Sequence, residues 1–209
     1  MSGRLWRDTL IFFDTETETL WSQLLGRAVQ GAYEGDSLEH VPSVRMSWSD
    51  WKTLHPHTRA LAKPAKIQRS RYQRYFDAQD KFGISGRDLV DDRLPGKHAV
   101  LGLESGESTI AVAVPEGERD VVRVGLDGRR VCVVRDGSRA TAWEGPKRGA
   151  LRWSVDGSAL EATRGHGRWH PWTGQALSLE TEALQAVPSV YTYWFTWSRY
   201  HPETMLAGQ

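Results

Sequence analysis

The chain alternates short apolar runs with polar turns, a pattern typical of strands joined by hairpins. Apolar side chains dominate 9–13, 100–103, 109–114, 121–124, 131–134, 151–155 and 159–162. Asp127-Gly128 lies between two of these runs and supplies the positive φ angles of a tight turn, and Asp156-Gly157 lies between two others. The sequence therefore predicts a mainly β (α+β) fold with antiparallel meander sheets.

Helical spacing is confined to two short segments. Ser47 followed by Asp50 has the form of a capping box, and the tryptophans and leucine that follow fall on one helical face before Pro56. The segment 71–79 places three aromatic residues on one face. We expect a few short helices beside the sheets.

A tryptophan-rich pattern occurs twice, once near each end of the chain. Ten positions recur 146 residues apart and three more recur 148 residues apart, so a two-residue gap separates the blocks. The first unit has Trp21, Gly26, Ala28, Leu38, Val41-Pro42-Ser43-Val44, Trp48, Trp51, His55-Pro56 and Thr58, and the second has Trp169, Gly174, Ala176, Leu184, Val187-Pro188-Ser189-Val190, Trp194, Trp197, His201-Pro202 and Thr204. We interpret the recurrence as an internal duplication.

Most of the repeated residues have a structural interpretation. Two tryptophans three residues apart share one face of a short helix, which favours a core position over ligand stacking. The Val-Pro-Ser-Val segment is predicted to be a strand. His55 and His201 precede proline at the helix ends, where an imidazole can cap the last carbonyls, and metal binding or catalysis is the alternative.

The two units differ in the turn before the tryptophan. The first unit has Asp14-Thr15-Glu16-Thr17-Glu18, whereas the second has Ala162-Thr163-Arg164-Gly165-His166. A shared fold does not explain carboxylates that only one unit carries. Asp14 and Glu16 are therefore the candidate catalytic groups, with Trp21 and Gln23 as candidate ligand-binding residues, and a solvated acidic turn is the alternative.

Composition excludes several classes of function. With 27 basic and 26 acidic residues, the formal charge is +1, so no global field recruits nucleic acid or a membrane. No apolar run reaches the roughly 20 residues of a membrane-spanning helix. Cys132 is the single cysteine and lies in an apolar strand, where a buried small side chain is expected. We expect a cytoplasmic protein without a leader.

Nucleic-acid binding rests on one basic stretch. Lys63, Lys66, Arg69, Arg71 and Arg74 interleave with tyrosines, as in surfaces that track a phosphate backbone. A solvated linker that leads into a helix explains the same residues. Binding to nucleic acid is therefore the least favoured hypothesis.

Several motifs resemble a bacterial and archaeal family called domain of unknown function 3179. They are Asp14-Thr15-Glu16-Thr17-Glu18-Thr19-Leu20-Trp21-Ser22-Gln23, Gly26-x-Ala28, Ser47-Trp48-x-x-Trp51, His55-Pro56-x-Thr58 and Asp92-Arg93-Leu94-Pro95-x-Lys97-x-x-Val100-Leu101-Gly102. The resemblance implies no established reaction. Longer members carry a Cys-Pro-x-Cys motif ahead of this region, so the resemblance implies a reduced member with about one and a half repeats. An uncovered sheet edge would follow, and a homodimer is one way to cover it.

The family-like element between the units adds three candidate ligand-binding residues. Arg93 can fork two hydrogen bonds to a carboxylate or phosphate, Asp92 beside it can orient it, and Lys97 adds a second cation. A structural ion pair that links the units is the alternative.

The sequence divides into a first unit over 1–62, a basic and aromatic connector over 63–99, and hairpins with the second unit over 100–209, which we expect to form one compact domain. No motif supports a named reaction, a cofactor or a metal, and His166 and His170 form only a weak metal candidate. Two hypotheses stay open. One is a domain that binds or transforms a small anionic or polar-apolar ligand between the units, and the other is a non-enzymatic module for a protein partner.

Overall fold

A computed structural model describes residues 3–61, 72–83, 86 and 88–208. The strands are β1 (Arg4–Trp6), β2 (Thr9–Phe13), β3 (Leu20–Ser22), β4 (Arg27–Gln30), β5 (Ala99–Ser105), β6 (Ser108–Ala113), β7 (Arg119–Leu126), β8 (Arg129–Asp136), β9 (Arg139–Glu144), β10 (Leu151–Trp153), β11 (Leu160–Ala162), β12 (Arg168–Trp169), β13 (Val190–Tyr193) and β14 (Met205–Ala207), and the helices are α1 (Trp48–Leu54), α2 (Gln73–Asp77) and α3 (Trp194–Tyr200). Lys63, Lys66, Arg69 and Arg71 of the basic stretch lie outside the described residues.

The strands of the described residues form four small sheets, so the predicted mainly β fold is confirmed. Their orders are β1-β2-β3-β4, β13-β5-β6-β14, β7-β8-β9 and β10-β11-β12. Neighbouring strands are antiparallel except β14, which pairs parallel with β6. This exception to the expected meander arises because α3 carries the chain across the sheet from β13 at one edge to β14 at the other, as in a strand-helix-strand crossover.

The predicted hairpins form where the turn residues indicated them. β5 pairs with β6, and β7 pairs with β8 through Asp127 and Gly128, whose φ angles are 49° and 72°. β10 pairs with β11, and the Asp156 carboxylate accepts hydrogen bonds from the backbone N–H of Ser158 and from two serine hydroxyls in the turn. Local turn chemistry therefore determines these pairings.

The predicted Val-Pro-Ser-Val strand is wrong in both units. Residues 41–44 form no strand, and β13 begins only at Val190, the last residue of the second motif. The proline lacks a backbone N–H and therefore interrupts pairing on that side. Strand character follows the motif instead, as an isolated bridge from Arg45 to Ala140 in the first unit and as β13 in the second.

The two repeated helices have the same local geometry. Each has seven residues and ends at a histidine, with φ and ψ of −128° and 71° at His55 and −129° and 72° at His201. The predicted capping of the last helical carbonyls by the imidazole ring is replaced by a backbone hydrogen bond. The backbone N–H of each histidine donates to the tryptophan carbonyl four residues earlier, while the ring packs on that indole, with centroids 4.3 Å apart for His55 and 4.1 Å for His201.

The helices differ in burial, so the predicted core role of the tryptophans holds only for the second unit. Trp194 and Trp197 have 0% and 2% of their surface exposed, whereas Trp48 is 53% exposed and α1 has no buried residue. α3 packs on the sheet that contains β5, where Gly102 leaves room for the Trp197 ring. None of the sheets in the described residues covers α1 in the same way.

The first unit is attached to α3 by polar contacts. The Arg199 guanidinium donates to the Asp8 carboxylate at 2.9 Å, and both side chains are largely buried. The Tyr200 hydroxyl donates to the carbonyl of Trp6 at 2.6 Å. These contacts fix the β1–β4 sheet beside the second unit, so that surfaces of both units border the same cavities.

We expect Gly102→Ala to lower the free energy of unfolding by about 3 kcal/mol, because the added Cβ would overpack a filled core. That Cβ would lie 2.1 Å from the Trp197 ring. The matched control is Gly125→Ala in β7, where an added Cβ meets no atom within 4 Å. Urea denaturation should show a change below about 1 kcal/mol for this control. Equal effects of the two substitutions would contradict the packing described here.

Candidate functional site

A cavity of about 740 Å³ lies where Arg45 of the first unit meets the connector over 63–99 and the part of the chain over 100–209. Arg45 of the first unit, Tyr191 and Tyr193 of the second unit, and Lys97 and His98 ahead of β5 border it. We call it the inter-unit cavity. Its other lining residues are Phe76, Gln79, Pro95, Ala99, Val114, Glu116, Ser138 and Thr192.

Arg45 and Tyr191 meet at one wall of this cavity. They occupy equivalent positions of the repeated pattern, 146 residues apart, and the Arg45 guanidinium lies 4.5 Å from the centre of the Tyr191 ring. Burial raises the pKa of Tyr191, and its contact with Arg45 opposes that rise, so the hydroxyl stays protonated at neutral pH. A guanidinium carries five N–H donors, more than one tyrosine can accept. Arg45 therefore has the chemistry to hold a carboxylate or phosphate.

Lys97 is buried in the wall of the inter-unit cavity. Its ammonium donates to the backbone carbonyls of Tyr75 and of Ala78, the latter at 2.5 Å, and lies 3.7 Å from the Tyr75 ring centre. Burial lowers the pKa of Lys97. The contacts attach the end of α2 to the segment ahead of β5. Lys97 therefore contributes positive charge and holds one wall in place.

His98 places a buried polar atom beside the same cavity. Its Nε2 has no hydrogen-bond partner among the described residues. Burial lowers the pKa of His98, and the positive charge of Arg135 lowers it further, so the ring is neutral at pH 7. The His98 backbone is fixed, because its carbonyl accepts the N–H of Trp194 at 2.8 Å. A neutral imidazole in this position can donate or accept one hydrogen bond.

The acidic turn lies elsewhere and has a structural role. The Asp14 carboxylate accepts hydrogen bonds from the backbone N–H of Thr17 at 2.6 Å, from the Thr17 hydroxyl, and from the Trp21 indole at 3.2 Å. The Thr17 N–H is the main reason that its pKa falls to about 2. Glu16 is exposed, and Gln23 borders a different cavity of about 240 Å³. The structure thus does not bring these residues to the inter-unit cavity.

Arg93 does not pair with Asp92 as the sequence suggested. It forms a bidentate ion pair with Asp91, with Nη2 to Oδ2 at 2.7 Å, and donates to the Thr204 carbonyl at 3.0 Å. Its guanidinium also lies 5.1 Å from the Trp194 ring centre, and Asp92 is exposed. The pair lowers the pKa of Asp91 and raises that of Arg93. Arg93 therefore anchors α3 to the connector.

His166 and His170, the weak metal candidate, lie in and beside turns of the second unit. His170 Nδ1 accepts the backbone N–H groups of Trp172 and Thr173, each at 3.3 Å, and burial lowers its pKa. The described residues contain no group of three metal-ligating side chains.

Of the seven predicted site residues, only Lys97 borders the inter-unit cavity. Sequence reasoning missed Arg45, His98, Tyr191 and Tyr193. A signal for two of them was present, because Arg45 and Tyr191 directly follow the repeated Val-Pro-Ser-Val motif and differ between the units. His98 and Tyr193 carried no comparable signal, because their positions depend on how β13 pairs with β5.

The fold and this cavity define a mainly β protein with two tryptophan-rich units and a cavity of small-molecule size. The family described as "Protein of unknown function (DUF3179)" matches residues 1–204, and the chain belongs to this family. No curated protein and no solved structure matches the chain. Among the described residues, no helix has the length and apolar character needed to cross a membrane.

We expect Asp14→Asn to lower stability in a pH-dependent way. Because the pKa of Asp14 is about 2 in the folded chain against an ordinary 3.8, its ionised form stabilises the fold above 3.8, and this contribution is lost as the pH falls through about 2. Denaturation of wild type and variant between pH 7 and pH 2 measures the difference. The control is Glu16→Gln in the same turn, whose side chain is exposed. A stability difference that stays constant down to pH 2 would refute the structural role of Asp14.

Proposed function

We propose that the protein binds a small anionic molecule with an aromatic or apolar body in the inter-unit cavity. The observation that carries the proposal is the meeting of Arg45 with Tyr191, Tyr193, Lys97 and His98 around a space of about 740 Å³. Cavities of this size accommodate metabolite-sized ligands.

Charge favours an anion. Arg45 and Lys97 are the cations among the described lining residues, and Glu116 is the carboxylate among them. The ammonium of Lys97 is already engaged by backbone carbonyls, so Arg45 is the group suited to a direct ion pair. A planar guanidinium matches the geometry of a carboxylate or phosphate and gives two parallel hydrogen bonds.

Aromatic side chains favour a flat or apolar body. Tyr193 stacks on Phe195 with ring centroids 6.1 Å apart and an angle of 24° between the rings, which fixes the orientation of its phenol. Phe76 and Pro95 add apolar surface on the side of α2. Rings of this kind contribute most to the binding free energy when their orientation is fixed before the ligand binds, because less conformational entropy is then lost. His98 adds a neutral imidazole to the lining.

We also propose that the two tryptophan-rich units are copies of one ancestral unit. Equal helix lengths, matching dihedral angles at His55 and His201, and the same tryptophan-to-threonine hydrogen bond support this. That bond joins Trp51 to Thr58 and Trp197 to Thr204, each at 3.0 Å.

A second candidate function is a non-enzymatic module for a protein partner. The exposed Trp48 and Val41 of the first unit favour it, since their counterparts Trp194 and Val187 are buried. A homodimer is the simplest partner, and analytical ultracentrifugation tests it. We further propose a reducing, cytoplasmic location, which a single buried cysteine suits.

Arg45→Gln should weaken binding of an aromatic carboxylate at least about tenfold, because it removes a charge-assisted hydrogen-bond pair. The probes are 4-hydroxybenzoate and indole-3-acetate, measured by ligand-observed NMR and by calorimetry. The control is Arg152→Gln, which removes an exposed guanidinium that pairs with Glu161 outside the cavity.

Wild-type binding that persists in Arg152→Gln and falls in Arg45→Gln supports the proposal. Failure of both probes to bind wild type at millimolar concentration, or equal binding by the two variants, would count against it.

A further inference from the structure

A second cleft lies at the opposite end of the β5–β13 pairing and shares no lining residue with the inter-unit cavity. It has a volume of about 230 Å³. Arg27 and His40 of the first unit, Glu104 of β5, and Ser189 and Trp197 of the second unit border it, together with Leu25, Ser37, Leu38, Gly102, Pro188 and Val190. We call it the Arg27 cleft.

One polar atom of the cleft wall, Ser189 Oγ, is buried without a hydrogen-bond partner among the described residues. His201 Nε2 is likewise unpaired among them, but His201 lies behind Trp197 and does not line the cleft. The His201 ring packs on Trp197, whose indole also borders the cleft, and the charges of Glu104 and Arg27 act on the His201 imidazole. Leaving a buried hydroxyl unpaired costs about 1–3 kcal/mol, so a ligand that bonds to Ser189 is favoured.

The repeated motif does not itself require this burial. The counterparts of Ser189 and His201 in the first unit are Ser43 and His55, and both are exposed. The backbone at the two histidines is nevertheless the same within 1° in φ and ψ. The buried serine and histidine are therefore a property of the second unit's surroundings, and the first unit supplies matched controls.

The charges at the mouth of the cleft balance. Arg27 Nη2 lies 3.5 Å from Glu104 Oε1, with 48% and 32% of the side chains exposed. A long, partly exposed pair of this kind contributes only about 0–1 kcal/mol, so a ligand can take its place at little cost. One cation and one anion match a zwitterion, whereas a singly charged ligand would leave one of them without a partner.

We propose that the Arg27 cleft binds a free α-amino acid with a short, uncharged polar side chain. Arg27 receives the α-carboxylate, Glu104 receives the α-ammonium, and the side-chain hydroxyl or amide reaches Ser189. Leu25, Val190 and Trp197 enclose the aliphatic part. The volume of about 230 Å³ is below that of sites for drug-sized ligands, which favours a ligand of amino-acid size. This inference does not rest on the function proposed for the inter-unit cavity.

Calorimetry and thermal-shift assays with free L-serine, L-threonine, L-asparagine and L-glutamine test the proposal on the whole chain. We expect at least one of them to bind wild type, with L-lysine and L-glutamate much weaker. Arg27→Gln and Ser189→Ala should each weaken that binding by about tenfold, whereas Ser43→Ala should leave it unchanged. Arg45→Gln should also leave it unchanged, because Arg45 borders the other cavity.

Three results would overturn the proposal. The first is that none of the four amino acids binds wild type at millimolar concentration. The second is that Arg27→Gln binds as wild type does while its melting temperature shows that it is folded. The third is that Arg45→Gln abolishes binding, which would place the amino acid in the inter-unit cavity.

Discussion

The packing of the Trp197 indole on Gly102 is the contact on which the arrangement of both cavities depends. A glycine at this position of β5 lets the ring lie directly on the strand, where an alanine Cβ would come within 2.1 Å of it. α3 can then lie flat on the sheet, with β13 before it and β14 after it at opposite edges. The first two N–H groups of α3 donate to the carbonyls of His98 and Gly96 at 2.8 and 2.9 Å. The helix therefore holds the segment that carries Lys97 and His98.

The two tryptophan-rich units show how one motif can have two roles. In the second unit, the paired tryptophans are core residues and their indole N–H groups are bonded to Asp91 and Thr204. In the first unit, the same spacing produces a helix with no buried residue. The difference comes from what each helix packs against, since only α3 lies across a sheet among the described residues. Arg45 of the first unit and Tyr191 of the second, which occupy equivalent positions of the pattern, both border the inter-unit cavity.

Local chemistry explains which parts of the fold the sequence could predict. The capping box at Ser47 and Asp50, the hairpin at Asp127-Gly128 and the burial of Cys132 depend on neighbours in the chain or on apolar runs, and the structure has all three. The parallel pairing of β14 with β6 depends on residues far apart in sequence. The exposure of Trp48 likewise depends on which sheet its helix meets. Spacing within the chain carries no information about either.

The candidate site residues divide in the same way, into those whose partners are neighbours in the chain and those whose partners are distant in sequence. Asp14 stood out because only one unit carries it, yet its carboxylate oxygens already accept hydrogen bonds from Thr17 and from the Trp21 indole. Arg93 stood out as an anion-binding group, yet its guanidinium pairs with Asp91 and not with Asp92, the partner that the sequence suggested. Arg45 and Tyr191 meet through tertiary contacts between the units. The two units differ both in the turn before the tryptophan and in the residue after the Val-Pro-Ser-Val motif, and the residues of the second difference are the ones that border the inter-unit cavity.

A crystal structure of the protein soaked with 4-hydroxybenzoate tests the central claim, that the junction of the two units is a ligand site, most directly. We predict electron density for the ligand in the inter-unit cavity, with its carboxylate within hydrogen-bond distance of the Arg45 guanidinium and its ring beside Tyr191 and Tyr193. Ligand density at another surface, or a cavity filled by the side chains that line it, would contradict the account.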